Sequence, residues 1–545
     1  MNFWFSKREK ICALSKKNLL SVFKIGKRTF SGKKEASITT NEGVVRQVKG
    51  TNDLIGEEYE EKEFILSMAK DTSKTFGFIG METPILEHVE VFKHCVGEYS
   101  DIVSKEMFTL SNERSNLSNN KNGKRFEEMN TICLRPEGTA SMMRALINSS
   151  LLWTQPLPVR VFYEGAMFRR ERPQLGRQRQ FTQFGVELVS KCSSPSPSLI
   201  NSPKSGLSNR EGGEEEDVEV ICLAQQILSR LGIETTLCLN TLGDEESRKS
   251  YTSSLYKFFT SQFEHLSFES RVRFEKGNYL RILDSKDTQD ILIIKEAPKI
   301  SEHLNDYSKN WFEEVKGSLE ELGIAFKLKP HLVRGLDYYN HTIFEFVDDE
   351  ERSQGTVLGG GRYNGLLSQL VLHPQKASTE YLQHIRSLGG VGFAAGVERL
   401  ALMRRMKNKV ERASCFTIAV IAVRHSPNVN DKEELSGEQI QFKVSRYASK
   451  IASQLRKTVF ESKERGEIAS NSNWRIIFNP QLSTSKQMRM ADTNSASICV
   501  LVGVEEAEQN SVTVKQMHSG EQKKNLPFHP LSILKLTPSC KLKKK

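Results

Sequence analysis

The sequence predicts an α+β region, an antiparallel sheet accompanied by helices and by a long helical stretch, followed by a smaller C-terminal α/β domain. Three observations carry this prediction. Residues 159–168 and 179–189 read as two strands joined by a glycine-containing, arginine-rich turn. Residues 244–330 are mostly helical in pattern, with charged faces. From residue 415 onward strand and helix alternate through Phe416–Val423, Val444–Leu455, Trp474–Phe478, Ser485–Ala491 and Ile498–Val502, which implies a partly parallel sheet.

The other elements follow in order. Phe64, Ile65, Met68 and Phe76 recur at helical spacing, so residues 57–76 form a helix. After Pro136, residues 138–149 place Met142, Leu146 and Ile147 on one helical face. Residues 218–232 form an amphipathic helix that stops at Gly232, a C-cap signal. Two segments read as mobile loops: 111–128, rich in Ser and Asn, and the insertion 192–217, rich in Ser and Pro before an acidic run. Neither buries enough apolar surface to offset the entropy of ordering. A third polar stretch covers 425–440.

Composition bounds the function. The chain has 545 residues, 38% apolar and 27% charged, an ordinary soluble composition with room for about three or four domains. The longest apolar block, Thr417–Val423, falls far short of the roughly 18 residues that span a bilayer, so no membrane role is expected. Nine cysteines, none in C-x-x-C spacing, and eleven histidines without H-E-x-x-H point away from zinc or a disulfide framework and toward a reducing compartment.

The net charge of +11 invites a nucleic-acid reading. Its location weakens that inference. Residues 1–30 carry eight basic residues against Glu9, and residues 541–545 carry four lysines, leaving 31–540 formally neutral. The basic, acid-poor leader with interleaved Leu14, Leu19, Leu20, Val22 and Phe23 has the composition of an organellar transit peptide. Arg28–Ser31 (RTFS) resembles a mitochondrial processing site. A mitochondrial address is therefore expected, with a plastid, dual targeting or, less so, the cytoplasm as alternatives. Residues 31–45 would be a linker and 529–545 a basic tail.

The stretch Tyr163–Glu187 concentrates chemistry. On strands, residues two apart share a face, so Arg169 and Glu171 point together, as do Arg179, Phe181, Gln183 and Glu187. Arginine forks match polyphosphate oxygens and stay charged. A neighbouring carboxylate can hold Mg2+ that bridges phosphates, and an aromatic ring can stack on a base. A nucleoside triphosphate site on an antiparallel sheet fits this set, as does a salt-bridged, solvated hairpin. No G-x-x-x-x-G-K-[ST] is present, so the site is not a P-loop.

The hairpin resembles motif 2 of class II aminoacyl-tRNA synthetases, specifically of histidyl-tRNA synthetases. Lys49–Leu54 (KGTNDL) and Leu134–Ala140 (LRPEGTA) resemble the same family. Gly77–Glu87 (GFIGMETPILE) is similar to motif 1, whose proline, here Pro84, lies at a dimer interface. Leu332–Tyr339 (LVRGLDYY) resembles the histidine-binding signature, Gly359–Gly365 (GGGRYNG) its glycine-rich companion and Gly390–Leu400 motif 3. Gly243–Lys249 and Leu280–Lys286 resemble the helical insertion of bacterial members.

The resemblance implies a class II catalytic domain over 46–412, interrupted by the helical insertion at about 244–330, and an anticodon-binding domain over 413–528. It implies a histidine–tRNA ligase, a homodimer, that activates L-histidine with ATP and Mg2+ and charges tRNA(His). It places Glu87, His88, Val89, Arg169, Gln183, Glu187, Arg334, Tyr338 and Tyr339 around histidine. Glu87, Gln183 and Tyr338 lie by the amino group, and Glu187 and Tyr339 by the imidazole. Arg334 and Arg169 are the implied catalytic cations at the carboxylate and α-phosphate. Arg169, Glu171, Arg177, Arg179, Phe181 and Arg399 would surround ATP, with Glu171 on the metal and Gln174 facing the tRNA acceptor end. Lys486, Gln487 and Arg489 are candidates for anticodon contacts, and equally for a solvated helix face.

Three positions depart from the family pattern: Val89 for Thr, Asn364 for Asp and His341 for Arg. The main rival is a non-catalytic paralogue regulating ATP phosphoribosyltransferase. Such proteins usually lack the anticodon domain and erode the catalytic arginines, whereas Arg169, Arg334 and Arg399 all stand here. A plain RNA-binding module is a second rival, and it would need no amino-acid pocket.

Overall fold

The computed structural model describes residues 45–97, 100, 102–110, 131–174, 176–192, 213–348, 355–406, 415–424, 437–468 and 473–536. The expected leader, the loop 111–128 and most of 192–217 lie outside them, as do residues 425–436 and 537–545. The chain divides into two compact units, Met1–Met403 and Arg404–Lys545.

Among the described residues the first unit has eleven strands: β1 (Ile79–Gly80), β2 (Leu86–His88), β3 (Phe108–Leu110), β4 (Ile132–Leu134), β5 (Val159–Phe168), β6 (Gln180–Lys191), β7 (Thr236–Thr241), β8 (Phe326–Leu328), β9 (Asn340–Val347), β10 (Thr356–Arg362) and β11 (Leu388–Gly396). Eight of them form one sheet in the order β1-β5-β6-β11-β10-β9-β7-β8, while β2, β4 and β3 form a small separate sheet. The six central strands are antiparallel to their neighbours, and β1 and β8 add parallel edges.

The two-residue period of β6 sorts the two faces of the large sheet. Phe184, Val186 and Leu188 enter a core with three helices, α1 (Glu57–Thr75), α2 (Glu214–Arg230) and α3 (Asp306–Glu321), through Ile65, Ile221, Leu228, Trp311 and Val315. Phe181, Gln183 and Glu187 take the opposite face. There a second core gathers Tyr163, Tyr338, Tyr339 and Tyr363 with the helix Thr139–Asn148 and part of the helical insertion.

The expected insertion at about 244–330 therefore divides. Its helices from Glu245 to Glu302 lie on the Glu187 face, but Asp306–Glu321 is a core helix and Phe326–Leu328 pairs parallel with β7. The charged face of α3 reads like an insertion helix in sequence. Its Trp311, Phe312, Val315 and Leu319 stripe is what docks it.

Arg362 locks this core. It is fully buried, with Nε 2.7 Å from Asp217 Oδ1 and Nη2 3.1 Å from Glu216 Oε2, and it stands 4.9 Å over the Trp311 ring. Burial works against its charge, and the two carboxylates more than restore it, raising its pKa. Arg362→Met should destabilise the chain by about 3–5 kcal/mol in denaturant titration, because it strands two buried carboxylates. His341, the departure from the family arginine, stacks on Trp311 at 4.8 Å. Burial, and then the charge of Arg362, hold its pKa down at about 4, so it packs as a neutral ring.

The second unit has the sheet order β13-β12-β14-β15-β16. Here β12 is Cys415–Ala422, β13 Asn473–Phe478, β14 Ile498–Val502, β15 Ser511–Gln516 and β16 Gln522–Pro527. The first three are parallel, and β15 and β16 close the sheet as an antiparallel pair that strand–helix alternation did not reveal. The long helix Gly437–Glu464 and the helix Pro530–Lys535 share one core with the sheet. The described start of the expected tail thus belongs to the domain, through buried Ile533 and Leu534. Among the described residues no helix is long and apolar enough to cross a membrane.

Candidate active site

The site face is cleared by small residues. At one level of the sheet, Gly185, Ala394, Gly359 and Glu345 lie side by side on β6, β11, β10 and β9. At the next level stand Glu187, Gly392, Gly361 and Ile343. A Cβ on Gly392 would fall 2.0 Å from Glu187 Oε2, and one on Gly359 would fall 2.5 Å from Arg334 Nη1. The glycines let a buried carboxylate and a guanidinium lie flat on the sheet.

Glu187 is fully buried. Its Oε2 accepts a hydrogen bond from the Tyr363 hydroxyl, while Oε1 has no hydrogen-bond partner. Burial pushes its pKa up to about 8, against the opposing pull of the Tyr363, Thr139 and Tyr163 hydroxyls. Tyr338 and Tyr339 are tilted against each other with ring centroids 4.6 Å apart, and Tyr363 stands edge-on to Tyr338 at 5.7 Å. The Tyr338 hydroxyl is also buried without a partner. Two unsatisfied polar atoms thus share one tyrosine-lined nest, a costly arrangement unless a ligand completes it.

Arg334 lies 5.9 Å from the Tyr339 ring and pairs with Glu345 through Nη1. The second oxygen of Glu345 accepts from Thr356 at 2.8 Å. Burial opposes the charge of Arg334, and Glu345 outweighs that effect, so its pKa is raised. Its Nε has no hydrogen-bond partner.

The hairpin and the helix after β11 supply the other cations. β5 ends at Phe168, so Arg169 and Glu171 lie just past the expected strand, although Arg169 N still donates to Arg179 O at 2.8 Å. Arg169 stands 5.2 Å over the Phe181 ring and donates through Nε to Pro136 O at 2.9 Å. Glu171 is flanked by Arg169 at 3.8 Å and Arg177 at 3.6 Å, distances too long for direct hydrogen bonds. Arg399 sits in the first turn of the helix Val397–Met406, whose Glu398 accepts from Thr182 N of β6 at 2.8 Å. Burial, then the like charge of Arg177, lower its pKa, and Glu345 and Glu171 oppose them. Arg169, Glu171, Arg177, Phe181, Arg334 and Arg399 are thus brought to one side of the sheet.

The other expected site residues already have protein partners, pack in the core or are exposed. Arg179 donates to the carbonyls of Lys49 at 3.2 Å and Glu171 at 3.3 Å, so its guanidinium ties chain segments together where a phosphate contact was expected. Glu87 is buried on β2, and its Oε1 takes both Nε and Nη2 of Arg144, which answers its charge before any ammonium arrives. Gln183 Oε1 accepts from Gly138 N at 2.9 Å. His88 is exposed, and Val89 packs in the hydrophobic core beside Phe92. Gln174 is exposed at the hairpin tip, bridged to Arg177.

In the second unit Gln487 is fully buried, bonding both the N–H and the C=O of Ala422, so it is structural and no RNA contact. Four partners were not singled out in the sequence: Arg144, Tyr163, Glu345 and Tyr363. Tyr363, within the glycine-rich segment, and Tyr163, which opens the hairpin stretch, were the two with a local signal.

A family model described as histidyl-tRNA synthetase matches residues 50–196, and an anticodon-binding-domain model matches residues 419–531. With the antiparallel sheet and its arginine hairpin, they define a class II aminoacyl-tRNA synthetase with an anticodon-binding domain. The histidine–tRNA ligase of Gluconobacter oxydans is 36% identical over 476 residues, 87% of this chain and 94% of its own. That of Bacillus subtilis is 34% identical over 482 residues, covering 87% and 94%. Apo histidyl-tRNA synthetase of S. aureus matches with a TM-score of 0.61 and 26% identity, covering 88% of this chain and 97% of that one. The chain belongs to the histidyl-tRNA synthetase family and is, as a member, a histidine–tRNA ligase.

Proposed function

We propose that the tyrosine nest and the Arg334–Glu345 pair form the histidine-activating site, and that the chain works in an organelle. The observation that carries the first part is the pair of unsatisfied buried atoms, Glu187 Oε1 and Tyr338 Oη. A carboxylate oxygen suits an imidazole N–H, with Tyr339 beside it, and a hydroxyl suits the amino group. Arg334 would then meet the substrate carboxylate, with Arg169 approaching the α-phosphate from the hairpin. The carboxylate attacks that phosphorus and pyrophosphate departs. Fixed cations stabilise the charge that develops there, so the protein contributes chiefly positioning and electrostatics. Histidine then passes from the adenylate to the 3′ end of tRNA(His), which the exposed Gln174 would face.

Phe181 would stack on adenine, with Arg177 and Arg399 at the outer phosphates. Mg2+ would be held by Glu171 together with phosphate oxygens, which are its usual partners. The loose 3.6 and 3.8 Å spacing of Glu171 to its arginines leaves its oxygens room for that role. Among the described residues no group of three or more His, Cys, Asp or Glu could hold a metal. A homodimer is supported by exposed apolar Ile79, Ile85 and Leu86 around Pro84.

The organellar reading rests on the basic leader. The mature protein from its native cell should begin near Ser31 by N-terminal sequencing, and an intact Met1 on active protein would contradict it. For the activity, the mature chain should charge tRNA(His) with histidine and leave other tRNAs uncharged. Absence of charging would overturn the ligase reading and favour the regulatory paralogue.

A further inference from the structure

We propose that the helical insertion, residues 245–302, is the clamp that sets Arg334, with Arg248 and Arg281 as its positioning residues. The proposal rests on the reading of residues 334–339 as the activating segment. That segment lies between β8 and β9 and forms neither helix nor strand. The chain leading into it is tied to the sheet, since Asn240 Nδ2 donates to the carbonyls of Pro330 at 3.1 Å and Leu332 at 2.9 Å. The segment itself has a weaker backbone anchor, Asp337 N to Val96 O at 3.5 Å. A run of backbone this free would leave the Arg334 and Tyr339 side chains imprecisely placed.

The insertion supplies what the backbone lacks. Arg248 Nη1 donates to Tyr339 O at 2.9 Å and lies 3.4 Å from Asp337 O, so one guanidinium nitrogen bridges the carbonyls on either side of Tyr338. Arg281 lies against Gly335, its Nη1 2.9 Å from where a Cβ would stand, immediately after Arg334. Its side chain is largely covered and is 3.9 Å from Asp284.

Arg248 is itself referenced to the large sheet. It sits in the first turn of a helix that follows β7 almost at once. Asp244 caps that helix through Ser247 N at 2.9 Å, and Asn305 Nδ2 holds the other Asp244 oxygen at 2.8 Å. The capped turn fixes where the Arg248 side chain starts, and the two carbonyls fix where it ends. The clamp therefore transmits the position of the sheet to the activating segment through the insertion.

The test uses full-length Arg248→Met, Arg248→Lys and Arg281→Met. Arg248→Met should lower kcat/KM for histidine in pyrophosphate exchange about tenfold, the loss expected for one or two hydrogen bonds. The KM for ATP should stay within about twofold, Arg248→Lys should recover part of the loss, and Arg281→Met should shift histidine kinetics in the same sense. An unchanged histidine kcat/KM overturns the proposal. So does an equal loss for histidine and ATP in step with a lowered unfolding midpoint, which is a merely structural role. Amide hydrogen exchange over residues 333–339 reads the clamp without activity. It should quicken in Arg248→Met, and an unchanged rate refutes the clamp. Faster exchange in a chain without histidine activation would instead refute the reading of the site.

Discussion

Replacing Arg334 by alanine should lower histidine-dependent exchange of pyrophosphate into ATP by about 10²–10³-fold or more, the range for removing a preorganised group that stabilises transition-state charge. The loss should fall mainly on kcat, because the developing charge at phosphorus is what the cation answers. The substitution also leaves the partly buried Glu345 on the site face without Arg334, so repulsion of the phosphates adds to the missing attraction. Arg334→Lys should recover little, since an ammonium lacks the fork that serves Glu345 and a substrate oxygen together. Loss of activity with an unchanged unfolding midpoint separates a site defect from a folding defect. Near-normal exchange in Arg334→Ala would remove this residue from the chemistry.

The second large effect is at Glu187. Burial raises its pKa from the ordinary 4.5 to about 8, so at neutral pH this carboxyl is mostly protonated before histidine binds. A folded-state pKa above the unfolded one means the folded chain retains a proton that the unfolded chain has released. This group therefore lowers stability as pH rises from about 4.5 to about 8, and adds no further slope above that. Glu187→Gln resembles the protonated acid and should remove that slope in pH-dependent unfolding.

For ligand binding the sign is the reverse. An imidazole N–H donated to Glu187 favours the carboxylate, so histidine should bind more tightly as pH rises from about 7 to about 8. Glu187→Gln should flatten this dependence and raise the histidine KM by about ten- to a hundredfold, as expected for a hydrogen bond to a charged group. An unchanged KM and pH profile would exclude Glu187 from reading the imidazole.

Much of this site is legible from the chain because its chemistry is local. The alternation around Phe181, Gln183 and Glu187 places them on one strand face, which β6 shows. The Arg334–Tyr339 run is contiguous. What could not be read is who answers whom. Glu87 finds Arg144, Gln183 finds the Gly138 N–H and Arg179 finds the Lys49 carbonyl, each across a large stretch of sequence. Such partners are set by the way the small sheet and the N-terminal segment meet the hairpin, and no periodicity encodes that.

Polarity misled in the same way at Gln487 and α3. A polar residue on a helix reads as exposed until the strand it bonds is known, as with Ala422. A charged helix reads as peripheral until its apolar stripe finds Ile221 and Leu228 of the neighbouring helix. The edge pair β15 and β16 was missed because short, lysine-bearing strands look like loop.

The central claim is that one glycine-cleared sheet face selects histidine and activates it with ATP. Amino-acid-dependent ATP–pyrophosphate exchange by the unmodified mature chain tests it most directly. Histidine should drive exchange well above each of the other amino acids. Exchange driven equally by another amino acid, or none with histidine, would contradict the account.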